Sequence, residues 1–265
     1  MNLNKKLNAI IIVLVIACIV AGVIVVKKVL VDDVEKEVAV QEEVKPTITP
    51  VPTPTPKVML PDLVPYYEKN QDTIGWLKID GTPIDYPVMF TEGDNEFYLY
   101  RSFDKADNKE GTLYIDANSQ ISTPNTNIII YGHNMKNDTM FGSLSEYANK
   151  SYYDAHPTIT FNTLYEQGTY EILGAFYAKV LKKSDTTSFR YYKYFGAETE
   201  EEYNTFVNYV KSVREYDTGV ETKYGDRFIT LSTCSYHVEN GRFAVVARLK
   251  EDASQTQGNE AEPVS

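Results

Sequence analysis

Three side chains carry most of the chemistry this sequence has to offer. The stretch TLSTCSYHVENGR, Thr230 to Arg242, holds Cys234, the only cysteine beyond the first twenty residues, with His237 three positions on and Arg242 eight positions on. About a hundred residues upstream, His133 follows the apolar run NIIIY and precedes Asn134, so the chain leaves a buried strand and turns there. A thiolate attacks carbonyl carbon, an imidazole carries protons near neutral pH, and a guanidinium presents a rigid fork of donors to an oxyanion. Together they suit acyl transfer. Separately, each has a plain structural reading: a buried inert thiol, a histidine bonded to backbone, and one rim charge among many.

The other candidates are weaker. His237 sits in the loop SYHVENG and is expected to face solvent, and His156, before Pro157 in DAHPT, reads as a surface or capping residue. No CxxC, HxxxH or HExxH spacing is present, so no metal site is expected, and no Gly-rich phosphate loop or other cofactor motif is seen. The turn dipeptide Asn240-Gly241 returns the chain as a hairpin and brings Arg242 to the same sheet end as Cys234.

The elements that must position these residues are short strands. GWLKI, IDYPVM, GTLYID, TNIIIYG, TITF, GTYEILGAFYAKV, DRFITLST and RFAVVARLK are each bounded by turn residues, and eight of them predict a mainly β barrel or sandwich. One amphipathic helix is predicted over ETEEEYNTFVNYVKSV, where Tyr203, Phe206, Val207, Val210 and Val213 recur at helical spacing. Shorter helices are expected at Asp62 to Asn70 and around Met140 to Tyr147. These elements make one folded domain, 58–250, which holds the only Trp and nearly all of the Tyr and Phe.

Both ends differ in texture from that domain. Ala9 to Val26 is an unbroken apolar run of 18 residues between Lys5-Lys6 and Lys27-Lys28, long enough as a helix to cross a bilayer. It predicts an uncleaved single-pass anchor at 9–26 behind a cytoplasmic tail, 1–8. VIAC, Val15 to Cys18, also resembles a lipobox, against which the apolar run continues eight residues past Cys18. Residues 27–57 are acidic and then Pro/Thr-rich, an extended extracellular spacer, and 251–265 is expected to be disordered. Cys18 within the apolar segment is no partner for Cys234, so a free thiol is expected. Among 265 residues, 26 basic against 37 acidic side chains leave a net charge of -11, the wrong sign for a nucleic-acid partner.

Taken together, TLSTC with an arginine eight positions on and IIIYGHNM upstream resemble the sortases, cysteine transpeptidases of Gram-positive bacteria, and within them class B. NQDTIGWLKIDGTPIDYPVM, GDNEFYLYRSFD, GTLYIDANS and the helical insertion before the last two strands extend the likeness over roughly Leu60 to Lys250. The resemblance implies an eight-stranded sortase β-barrel with an N-terminal helix. It also implies Cys234 as nucleophile, His133 as general acid/base, and Arg242 steadying the substrate carbonyl or oxyanion. Substrate contacts carry over to Asn95, Leu99, Tyr131 and Ser232. The implied reaction cleaves a C-terminal sorting signal of a secreted protein through a thioacyl intermediate and passes it to a cell-wall precursor amine, or to a pilin lysine in a polymerising sortase. A surface barrel with a buried, non-catalytic Cys234 is the remaining alternative. Ser235 departs from class B members that carry an acidic residue after the cysteine, which leaves that subsite open.

Overall fold

The computed structural model describes residues 57–119 and 127–250. The apolar run at 9–26, the spacer and the tail after Lys250 lie outside the described residues. Among the described residues, no helix is long and apolar enough to cross a membrane.

Eight strands close into a barrel in the order β1-β2-β3-β4-β7-β8-β6-β5. They are β1 (Thr73–Lys78), β2 (Asp85–Met89), β3 (Leu113–Ile115), β4 (Asn127–Tyr131), β5 (Thr158–Thr163), β6 (Thr169–Lys179), β7 (Phe228–Cys234) and β8 (Gly241–Leu249). Neighbours are antiparallel except β2/β3 and β4/β7. Parallel neighbours need long crossovers, and β4 reaches β7 only after the whole of β5, β6 and the helical insertion. Each strand predicted from the sequence is present, as are a short N-terminal helix, α1 (Val64–Lys69), and the long helix, α3 (Glu200–Val213). The helix expected around Met140 to Tyr147 begins later, as a 3₁₀ turn at Leu144–Ala148 followed by α2 (Lys150–Ala155). Positive φ at Asp138 and Met140 keeps the preceding segment from being helical.

Strand alternation divides the apolar side chains between two cores. Leu113, Ile115, Ile130, Ile229, Leu231, Phe243 and Val245 fill the barrel interior. Their sequence neighbours Phe228, Ala244 and Val246 face outward, against Tyr203, Phe206, Val207 and Val210 of α3. β8 therefore reads as a continuous apolar run because both of its faces are buried. The Thr199 hydroxyl caps α3 by accepting from the Glu202 amide at 3.2 Å, and Glu202 reaches back to the Glu198 amide at 2.9 Å.

Both ends of the described chain emerge at the pole of the barrel opposite Cys234. The Leu60 amide donates to the Leu164 carbonyl at 2.7 Å and the Lys250 amide to the Thr169 carbonyl at 2.8 Å. Lys57 and Arg227, the latter just ahead of β7, both pair with Glu166 there. Neither end lies over the rim that carries the cysteine.

A lobe between β2 and β3 is fastened to the segment ahead of β1 by Asp72, which accepts from Lys105 at 2.8 Å and from the Tyr98 hydroxyl at 2.7 Å. Burial alone would raise the Asp72 carboxyl, but the Lys105 and Tyr98 hydrogen bonds outweigh it and hold the group below its ordinary 3.8. A depressed carboxyl contributes stability that is present above the unfolded value and lost as pH falls through the folded one. The unfolding free-energy gap between parent and Asp72→Asn, followed by urea titration, is therefore expected to be flat from neutral pH down to about 5 and to close below about 4. A gap that widens in acid would contradict this.

Candidate active site

Register brings the chemistry together. β4 runs parallel to β7 with Tyr131 beside Ser232, an offset of 101 that holds from Asn127↔Phe228 onward. Extended two residues past the last pair, it sets His133 level with Cys234. On the other side of β7, Cys234 is the direct antiparallel partner of Arg242 in β8. The three residues thus stand at one rim, Cys234 and Arg242 on β7 and β8 and His133 just past the end of the adjacent β4.

Beyond the ladder, side chains take over from backbone pairing. The Gly132 amide donates to the Ser232 carbonyl at 3.3 Å, and the Thr233 hydroxyl donates to the Gly132 carbonyl at 2.7 Å. The Asn134 amide donates to the Cys234 carbonyl at 2.8 Å. Gly132 has no room for a side chain: a Cβ there would lie 2.5 Å from Leu113 Cδ2 and 2.7 Å from Phe141 Cδ2. On the β8 side, Asn240 adopts a left-handed φ of 56°. A Cβ on Gly241 would collide with the Ser235 carbonyl oxygen, so the turn needs glycine there. Asn134→Ala is expected to lower stability by about 1 kcal/mol and the acylation rate about tenfold, since it removes the tie between the histidine and cysteine segments. Urea unfolding and single-turnover kinetics check the two parts, and an unchanged rate would mean that the tie is dispensable.

Strand parity puts the site outside the barrel interior. With Ile130, Leu231 and Phe243 pointing in, Tyr131, His133, Ser232, Cys234 and Arg242 point out, joined by Tyr114 between the inward Leu113 and Ile115. They floor a groove of about 360 Å³, a volume suited to a short peptide segment. One wall is Asn95, Glu96, Leu99 and Tyr100; the other is Val180 with Tyr191 and Tyr192 from the insertion between β6 and α3.

All the residues singled out in the sequence line this groove: Cys234, His133, Arg242, Asn95, Leu99, Tyr131 and Ser232. Cys234 is a half-buried free thiol. His133 Nε2 lies 2.7 Å from the Leu99 carbonyl oxygen, and its ring is 5.4 Å from that of Tyr100. Arg242 donates to its neighbour's carbonyl, Gly241, at 2.9 Å, and among the described residues no carboxylate pairs with it. Asn95 accepts from the Ala117 amide at 2.6 Å, and the Tyr131 hydroxyl donates to Asp116 at 3.1 Å. Ser232 is buried and shares a 2.9 Å hydrogen bond with the Tyr191 hydroxyl. Neither of the other histidines lines the groove: His237 is exposed and bonded to Ser235, and His156 is bonded to the Asp80 carbonyl beyond α2.

Sequence reasoning missed Tyr114, Asp116, Tyr191 and Tyr192. Burial pushes the hydroxyls of Tyr114, Tyr131 and Tyr191 well above the usual tyrosine range. Glu96 adds to the effect at Tyr114 and Asp116 at Tyr131, while Arg242 opposes it at Tyr114 and Tyr191. These phenols stay protonated and offer the groove ring surface, the Tyr131 hydrogen being given to Asp116 and the Tyr191 hydroxyl shared with Ser232.

A closed barrel with thiol, imidazole and guanidinium converging on one outer groove is the arrangement of a cysteine-dependent acyl-transfer enzyme. The Sortase domain family matches residues 77–250. Sortase B of Listeria monocytogenes is 35% identical over 188 residues, covering 68% of this chain and 70% of that protein. Sortase B of Staphylococcus aureus is 30% identical over 182 residues, covering 68% and 71%. Its substrate complex superposes with a TM-score of 0.65 at 27% identity, covering 74% of this chain and 87% of that one. Sortase B of Clostridium perfringens gives 0.61 at 29% identity, covering 71% and 99%. The chain belongs to the sortase family, its relatives are of class B, and it is a sortase transpeptidase.

Proposed function

We propose that this enzyme is membrane-anchored, cleaves a C-terminal sorting signal of secreted proteins through a thioacyl intermediate on Cys234, and transfers them to a cell-wall amine. The observation that carries the reading is that Cys234, its strand partner Arg242 and His133, two residues past the end of β4, line one peptide-sized groove. In the proposed course, Cys234 Sγ gives its proton to His133 and its electron pair forms a C–S bond to the scissile carbonyl carbon. Arg242 faces the oxygen that becomes negative. The C–N bond then breaks, and the departing nitrogen keeps the electron pair and takes the proton from His133. The acceptor amine attacks the thioester, gives its proton back to His133, and releases the thiolate. The apolar run at 9–26 and the proline-rich spacer support a place at the membrane, where both substrates of such a reaction lie.

The test is the full-length protein in detergent with NPQTN-, PPXTG- and LPXTG-like peptides, each with a cross-bridge-type amine or a lysine-bearing peptide as acceptor. Intact mass is expected to show a thioacyl adduct on Cys234 with at least one peptide, and addition of the correct acceptor to remove it as a transfer product. Transfer to lysine alone would favour pilus assembly over wall anchoring. No adduct with any peptide, from protein whose Cys234 still reacts with a thiol reagent, would sink the proposal.

A further inference from the structure

His133 has two ring nitrogens, and among the described residues only Nε2 has a hydrogen-bond partner, the Leu99 carbonyl oxygen at 2.7 Å. A carbonyl carries no proton, so this hydrogen bond exists only when Nε2 bears the hydrogen. In the neutral ring the lone pair is then on Nδ1. We propose that the Leu99 carbonyl selects the Nε2–H tautomer of His133, making Nδ1 the proton-carrying atom, and that Tyr98 is the positioning residue that holds this carbonyl in place. The inference rests on His133 being the acid/base of the reading above.

Leu99 sits in a 3₁₀ turn, Phe97–Tyr100, that no side chain caps and that is too short to hold itself. The carbonyls on either side of Leu99 are taken by backbone amides, Tyr98 from Thr112 at 3.0 Å and Tyr100 from Asn108 at 2.9 Å. Its own carbonyl is left to the imidazole. The turn is anchored from beneath by the buried Tyr98 side chain. Its hydroxyl donates to Asp72 at 2.7 Å and accepts from the Asn70 amide at 2.8 Å. That same amide also donates to the Phe103 carbonyl at 2.6 Å. The segment ahead of β1 and the far limb of the lobe therefore close on one phenol, one residue away from the carbonyl that orients the catalytic ring.

The assignment completes the proton path. The thiol proton passes from Sγ to Nδ1, the ring becomes imidazolium with hydrogens on both nitrogens, and the departing amine nitrogen takes the Nδ1 hydrogen when the C–N bond breaks. Nε2–H is never given up. Its bond to Leu99 tightens while the ring is charged, because a cationic donor makes a stronger hydrogen bond.

The test reads the ring directly, so it does not depend on turnover. The full-length chain is labelled with ¹⁵N-histidine, and the His133 signals are those lost in His133→Gln. At a pH where the ring is neutral, Nε2 is expected to show the protonated-type shift and Nδ1 the unprotonated type; an Nδ1–H ring would overturn the proposal. Tyr98→Phe keeps the ring volume and removes the hydroxyl. It is expected to give a mixture of tautomers and an acylation rate about tenfold lower. A purely Nε2–H ring in that variant, with acylation within twofold of the parent, would remove Tyr98 from the role. If the parent forms no adduct at all, the transpeptidase reading fails while the tautomer is still read.

Discussion

Replacing Cys234 with alanine is expected to lower transpeptidation by about 10⁴-fold or more and to abolish the thioacyl adduct. The expectation is this large because, among the described residues, the two hydroxyls nearest Cys234 in the strand are already engaged. Ser232, two residues back on the same face, is 1% exposed and its hydroxyl is engaged with Tyr191. Thr233 is buried, and its hydroxyl is spent on the Gly132 carbonyl. The fold should barely notice the change, since Cys234 is half-buried at a strand end and loses one sulfur atom. Adding His133→Ala to Cys234→Ala should cost little more, because groups acting as one unit are not additive. Single-turnover kinetics with intact-mass detection and a thermal melt separate these statements. A Cys234→Ala protein with a tenth of the parent rate would end the nucleophile assignment.

The strands were legible because the barrel is built on period-two alternation with turn residues between. In RFAVVARLK the strand was legible, and the structure adds that both of its faces are buried. The helix α3 showed through its apolar stripe of Tyr203, Phe206, Val207 and Val210. The segment at Met140 to Tyr147 misled because Met140, Leu144 and Tyr147 have helical spacing. Met140 instead carries a left-handed φ and is drawn into a bridge with Asn134, which delays the 3₁₀ turn to Leu144 and the α-helix to Lys150. Tertiary contact outweighed local pattern there.

At the site, the residues with unusual chemistry were visible one by one, and family likeness joined them; nothing in the spacing of His133 and Cys234 states the parallel register that makes them neighbours. Closure of the β4/β7 pair depends on crossovers spread over about a hundred residues. Tyr114 was recoverable in principle, since in GTLYID it is the outward residue between two inward apolar ones. Tyr191 and Tyr192 were not. They come from a 3₁₀ turn in an aperiodic insertion, and only the folded chain lays that turn along the groove. The Asn134 tie to the Cys234 carbonyl was equally hidden, because a polar residue after a strand reads first as turn chemistry.

Arg242→Ala is expected to lower the acylation rate by about 10²–10³-fold, the range for losing one preorganised donor to a developing oxyanion. Directly opposed residues in an antiparallel pair share a face, so the Arg242 side chain leaves the sheet on the same side as the thiol. Among the described residues it carries no ion-pair partner, and its contact with Gly241 uses one of five N–H donors. Charge not neutralised by the protein is charge available to the substrate oxygen, and the partly buried groove keeps water from screening it. Arg242→Lys tests whether charge alone is enough. A lysine restores the charge but not the planar fork, so it is expected to recover part of the loss and remain about tenfold below the parent. The split between constants tells which state the arginine holds: a fall in kcat at constant KM assigns it to the oxyanion, and a rise in KM at constant kcat to the bound ground-state carbonyl. With Arg242→Ala within threefold of the parent in both, the guanidinium would be a rim charge, and the reaction would rest on thiol and imidazole alone.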